Sequence, residues 1–137
     1  MASAPDSLLA TIQRLVQVTN AHDLEGIVAC FSVDYALESP LHPARSFRGQ
    51  AQVRRNWTEI LAGIPDIKVS VVRAATDDAS AWTEWEMTGT RLNGQPHLMR
   101  GVFIFGIREG LIGWGRMFLE PVDQSPSGVD ALPGSAP

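Results

Sequence analysis

Apolar residues at Leu8, Leu9, Ile12, Leu15 and Val16, extended by Thr19, recur at helical spacing, and Asp6 or Ser7 stands where a helix cap belongs. An amphipathic first helix is the prediction. Beyond Asn20-Ala21-His22, Asp23 can cap a short second helix whose Leu24, Ile27, Val28 and Phe31 share a face, with Cys30 inside it. Val33 to Ser39 alternates as a strand, which Pro40 and Pro43 end by opening a loop. Gly49 then introduces a third helix with Val53, Trp57, Ile60, Leu61 and Ile64 on its inner face, and Gly63 with Pro65 stops it.

From Asp66 the period changes to two. Four strands read through Ile67 to Ala75, Ser80 to Thr90, His97 to Ile107 and Leu111 to Val122, with hairpin turns at Asp77-Asp78, Asn93-Gly94 and Glu109-Gly110. An antiparallel meander follows. From Asp123 the chain has no period and little to bury, so residues 6–122 are expected to form one domain and residues 123–137 a disordered tail.

Alternation puts Thr83, Trp85 and Met87 on one face of their strand and Trp82, Glu84, Glu86 and Thr88 on the other. The odd face is the apolar one. In the next strands it continues through Met99, Gly101, Phe103 and Phe105, then Gly115, Met117 and Leu119. This inward set reads either as a filled core or as the wall of a cavity. Gly101 and Gly115 favour the cavity, because missing side chains in the middle of a concave sheet leave room. The outward set retains Trp82, Val102, Ile104, Trp114 and Phe118, more large apolar area than a monomer ordinarily exposes, so a homodimer through the outer sheet face is expected. Glu84, Glu86, Arg100 and Arg116 on that face can pair across strands or across a subunit boundary.

Composition narrows the partners. The 137 residues suit one domain, and a net charge of -4 gives no electrostatic reason to expect nucleic acid. No apolar run approaches the roughly 18 residues of a membrane span. A single cysteine, Cys30, and a start at Met1 to Pro5 without basic and apolar regions point to a reducing cytoplasm. No His, Cys, Asp and Glu set has metal-site spacing, and neither a phosphate-binding glycine loop nor a nucleophile elbow occurs.

The order of three helices, an early strand and a meander resembles the cone-shaped α+β barrel, cystatin-like in outline, of the superfamily of nuclear transport factor 2, ketosteroid isomerase, limonene epoxide hydrolase and the SnoaL-type polyketide cyclases. Its local carriers are His22 to Val28, Leu37-Glu38-Ser39-Pro40, Phe47-Arg48-Gly49, Arg100 to Phe103 and Arg116 to Glu120. The resemblance implies three N-terminal helices packed on a curved antiparallel sheet. Matching motif by motif, the base of ketosteroid isomerase falls on Ser39 and its oxyanion donors on Leu15 and Phe103. The charged set of limonene epoxide hydrolase falls on Met87, Trp85 and Met117, with helpers near Ala36 and Glu38. Neither catalytic set is present.

What the resemblance implies instead is a cyclase or isomerase of a hydrophobic polyketide- or terpenoid-like metabolite, working without a cofactor. A non-catalytic binding protein of the same fold, or an epoxide-opening hydrolase with a different catalytic set, are the alternatives. Glu38 and His42 are the candidate acid or base groups: a carboxyl buried at a pocket mouth is pushed toward neutrality, and a histidine shuttles protons near neutral pH. The candidate ligand contacts are Leu15, Tyr35, Ser39, Asn56, Trp57, Trp85, Met87, Met99, Phe103, Met117 and Leu119. The indole N–H of Trp57 or Trp85 can meet a ligand oxygen, whereas His22 and His97, beside turns, read as surface residues.

Overall fold

A computed structural model describes residues 4–131. Helix α1 (Ala4–Asn20) starts ahead of Asp6, which therefore lies in its first turn instead of capping it, and its buried stripe is Leu8, Thr11, Ile12, Leu15 and Thr19. Helix α2 (Leu24–Ala29) is capped by Asp23, whose carboxylate accepts the Gly26 N–H at 3.0 Å. It ends earlier than its apolar spacing suggests. Cys30 is its C-cap and Phe31 opens strand β1 (Phe31–Glu38), so Phe31 reaches the core from a strand.

A two-residue strand β2 (Phe47–Arg48) follows, then helix α3 (Gln50–Gly63) and strands β3 (Lys68–Asp77), β4 (Ser80–Thr90), β5 (Pro96–Arg108) and β6 (Leu111–Pro121). The meander β3 to β6 forms as the alternation predicts. At its β5–β6 turn Glu109 and Gly110 both take positive φ, 54° and 76°, as a two-residue hairpin of this twist requires.

The three helices pack on a six-stranded sheet of order β2-β1-β6-β5-β4-β3. Two features differ from the expected antiparallel barrel. Strand β1 runs parallel to β6, which makes the sheet mixed, and the sheet stays open, with β2 and β3 as its edges. Side-chain amides tie the helices down. Asn20 both donates to Val69 C=O (3.0 Å) and accepts Val69 N–H (2.8 Å), pinning the end of α1 to β3. Gln50 donates to the carbonyls of Val28 and Phe31, at 3.1 and 3.0 Å, and so joins α3 to the α2–β1 junction.

The outer face is partly closed by its own residues. Trp82 and Trp114 remain 48% and 42% exposed, while Ile104 is buried. The charged residues pair within the chain: Arg73 with Glu84 at 3.1 Å, Arg100 with Glu86 at 2.8 Å, and Arg116 with Glu38 at 2.5 Å. Of the expected tail, residues 123–131 are described and carry a single 3-10 turn at Val129–Ala131; residues 132–137 lie outside the described residues. Among the described residues, no helix is long and apolar enough to cross a membrane.

Candidate functional site

A cavity of about 770 Å³ lies between the helices and the sheet. Small-molecule sites typically occupy roughly 300–1,000 Å³, so the volume fits a ligand of several rings. Leu15 and Thr19 of α1, Phe31, Tyr35 and Leu37 of β1, and Val53, Asn56, Trp57 and Ile60 of α3 form one wall. Val69, Trp85, Met87, Met99, Phe103, Phe105, Met117 and Leu119 form the sheet wall. At one end, the C-terminal turns of α3 (Glu59, Gly63 and Ile64) meet the β4–β5 turn (Arg91, Leu92 and Asn93) and His97.

Ten of the expected ligand contacts therefore line the cavity: Leu15, Tyr35, Asn56, Trp57, Trp85, Met87, Met99, Phe103, Met117 and Leu119. Ser39 does not. It is buried beside the chain's 39–46 loop, where its N–H donates to Ser46 Oγ at 3.0 Å. Glu38 also faces away: alternation along β1 turns it to the outer face, where its carboxylate accepts from Arg116 and its side chain is 60% exposed. His42 sits in the loop, with Nε2 2.8 Å from the Glu120 carboxylate. Both candidate acid or base groups are thus outside the cavity.

The glycines do not explain the open space. A Cβ on Gly101 (φ 154°) would come within 2.1 Å of the Phe118 carbonyl oxygen, so glycine there permits the close approach of β6. The space above Gly115 is filled, since a Cβ would meet Tyr35 Oη at 2.5 Å and the Phe103 ring at 2.8 Å. The cavity opens between α3 and the meander, where large, partly buried side chains such as Trp57, Met87 and Met117 line it.

Few polar groups reach this wall, and their hydrogen bonds separate them. Trp85 is occupied: its Nε1–H donates to Thr83 Oγ at 2.6 Å, and Thr83 donates to Phe103 C=O at 2.6 Å. This chain of bonds fixes the indole as a rigid panel against Phe105, edge to face at 6.4 Å, and removes it as a donor to a ligand. Asn56 uses its oxygen to accept from Gln52 at 2.8 Å. Tyr35 is 2% exposed, its ring packed edge-on to Phe31 at 4.7 Å and Phe47 at 6.0 Å. Its hydroxyl makes no hydrogen bond among the described residues. Burial pushes its pKa up, which keeps it a neutral O–H donor.

His97 is the functional candidate that its place beside a turn conceals. It is buried (9% exposed), lines the cavity, and pairs across the sheet with Gly89. Arg91 Nη2 lies 3.2 Å from His97 Nδ1. A guanidinium can only donate, so Nδ1 must accept and the ring proton sits on Nε2. Nε2 is buried without a partner. Leaving such a donor unmet costs about 1–3 kcal/mol, a cost that a ligand oxygen would remove. Burial, and then the nearby Arg91 charge, hold the His97 pKa below its usual value, which maintains the neutral ring. The inward parity of Met99 and Phe103 extends to residue 97, and that was the signal for it.

Among the described residues, no group of three or more His, Cys, Asp or Glu side chains is placed to hold a metal ion. Glu59, on the exposed side of α3, is the one carboxylate on the cavity lining among the described residues.

Several solved structures share the fold. A candidate ketosteroid isomerase from Kribbella flavida is 21% identical, with 95% of this chain and 90% of that chain aligned at a TM-score of 0.71. An LEH-like epoxide hydrolase from M. tuberculosis is 14% identical over 86% of each chain, with a TM-score of 0.73. A candidate SnoaL-like polyketide cyclase from Jannaschia sp. CCS1 is 16% identical, over 88% of this chain and 90% of that one, with a TM-score of 0.72. At such identities the likeness is one of fold, and this fold hosts several chemistries. No curated protein matches the chain in sequence. The family model of the SnoaL-like domain matches residues 12–113, most of the folded region, and the chain belongs to that family.

Proposed function

We propose that the protein takes up a flat, hydrophobic, polyketide- or terpenoid-like metabolite in this cavity and isomerises or cyclises it without a cofactor. The observation that carries the reading is the wall itself: a volume of about 770 Å³ bounded by Trp57, Trp85, Met87, Met99, Phe103 and Met117, with isolated polar groups among them. Membership of the SnoaL-like family supports it. Such a chamber acts by holding a flexible substrate in a reactive conformer, the part of catalysis that depends on shape.

His97 contributes as a hydrogen-bond donor. Its Nε2–H can polarise a substrate carbonyl, but a neutral ring that gave this proton away would become an imidazolate, and Nδ1 is engaged by Arg91. Holding an oxygen, and not shuttling a proton, is therefore its role. Incubation with polycyclic ketone precursors, followed by mass spectrometry and NMR of the recovered compound, tests the reading. A rearranged product of unchanged mass or an added ring supports it, and His97→Leu should lower that turnover at least tenfold. Quantitative recovery of tightly bound, unchanged compound would favour the second reading, a binding protein. The outward placement of Glu38 and His42 is the observation on that side. Water-activating epoxide opening has less support, since Met87, Trp85 and Met117 stand on the wall where that chemistry needs charge.

Two further proposals concern the protein's setting. The half-exposed Trp82 and Trp114 support a homodimer through the outer face, and the buried free thiol of Cys30 supports a reducing cytoplasm.

A further inference from the structure

Arg54, Arg73, Arg100 and Arg116 each end on a carboxylate. Arg91 ends on an imidazole, with Nη2 3.2 Å from His97 Nδ1. Its backbone is held independently of that contact. Arg91 N–H donates to Gln95 C=O at 2.9 Å, Gly94 N–H donates to Arg91 C=O at 2.8 Å, and Thr90 N–H donates to Asp66 Oδ1 at 2.7 Å. The β4–β5 turn therefore stands without the guanidinium. Glu59, Arg91, Leu92 and Asn93 are the exposed members of the cavity lining among the described residues, so the cavity meets solvent at the end where His97 stands. The two ring nitrogens have different surroundings there: Nδ1 meets the guanidinium of an exposed residue, and Nε2 is buried without a partner. With no guanidinium, water can reach Nδ1, the proton gains a partner by moving to that side, and Nε2 is left as a bare acceptor.

We propose that Arg91 is a positioning residue that sets the selectivity of the cavity: by donating to Nδ1 it holds the His97 proton on Nε2, so that the wall receives a carbonyl oxygen and discriminates against the corresponding alcohol. The inference rests on the reading of the cavity as a small-molecule site and of His97 as its donor, and adds what decides the polarity of that donor. An alcohol can accept the Nε2–H, but its own O–H then needs an acceptor. Met87 and Met99, paired across β4 and β5 beside His97, offer only weakly accepting sulfurs, and the Asn56 oxygen is taken by Gln52. A ketone has no such group to strand. Arg91 acts through His97, from the solvent side of the ring, and reverses the preference when it is lost, because a bare Nε2 accepts an O–H and cannot meet a carbonyl.

Calorimetric titration of the full chain with 9-fluorenone and with 9-hydroxyfluorene, ring systems of one outline that differ in the oxygen group at a single carbon, tests the selectivity. Above neutral pH the wild type should bind the ketone at least about fivefold tighter than the alcohol. Arg91→Met should abolish or reverse that preference, and Arg91→Lys, which still donates to Nδ1, should keep it. Added to His97→Leu, Arg91→Met should cause no further change, since Arg91 has then nothing to act through. Nitrogen–proton NMR correlation of the His97 ring gives a signature that a merely structural role does not move: the proton should sit on Nε2 in the wild type and in Arg91→Lys, and on Nδ1 in Arg91→Met. Melting curves verify that each variant folds. If Arg91→Met keeps either the Nε2 proton or the wild-type preference, or if the wild type binds both compounds equally, the positioning role is overturned while the cavity reading stands. If neither compound binds the wild type, the cavity reading falls and the selectivity with it.

Discussion

His97 couples the cavity to pH. Its pKa is depressed in the fold by burial first and by Arg91 second, from an unfolded value near 6.5. Around pH 6 the unfolded chain therefore binds more protons at this site than the native chain does, and stability rises with pH. The contribution is complete above the unfolded value and is lost as pH falls through the folded one. Melting temperatures between pH 5 and 8 should show this slope, and His97→Leu should flatten it; parallel curves for the two proteins would contradict the assignment. Gly115→Ala places a methyl group against Tyr35 Oη and Phe103, so urea unfolding should show a loss of about 1–3 kcal/mol. Glu38→Gln removes half of an exposed ion pair and should change stability by less than about 0.5 kcal/mol without altering ligand affinity. Much of the wall was legible residue by residue, since Trp85, Met87, Met99, Phe103, Met117 and Leu119 share one parity. The same parity includes His97, and the neighbouring turn Asn93-Gly94 hides it. Alternation likewise points Glu38 outward, against its candidacy as an acid.

At the scale of elements, the alternation and turn residues locate the meander nearly residue for residue, because each strand is long enough for its period to show. They do not say where the two strands that precede the meander join it. The parallel pairing of β1 with β6 depends on contacts far apart in sequence, Leu37 with Gly115 and Glu38 with Arg116, and β2 is too short to have a period at all. The attachment of α1 to β3 is similarly invisible in the pattern, because it is made by one amide. Asn20→Ala removes both of its bonds to Val69 and leaves that strand's N–H and C=O unmet, so a destabilisation of about 1–3 kcal/mol is expected by chemical denaturation. Faster hydrogen exchange at Val69 would accompany it. An unchanged midpoint would show that α1 is held by its apolar stripe alone.

For the whole molecule, the inner face of the sheet lines the cavity and the outer face is the one proposed to associate. The ion pairs of the outer face close within the chain, which leaves Trp82 and Trp114 as the area to be covered. Light scattering at micromolar concentration should report a dimeric mass, and Trp82→Glu combined with Trp114→Glu should return a monomer that still binds ligand; a monomeric wild type would remove the interface. The central claim concerns the inner face, and filling the cavity tests it most directly. Met99→Trp adds an indole where the wall now carries a half-buried thioether. Calorimetric titration of that variant with 2,6-dihydroxyanthraquinone should show binding lost while the cooperative melt is retained. Unchanged affinity in a folded Met99→Trp protein would place the ligand elsewhere and contradict the account.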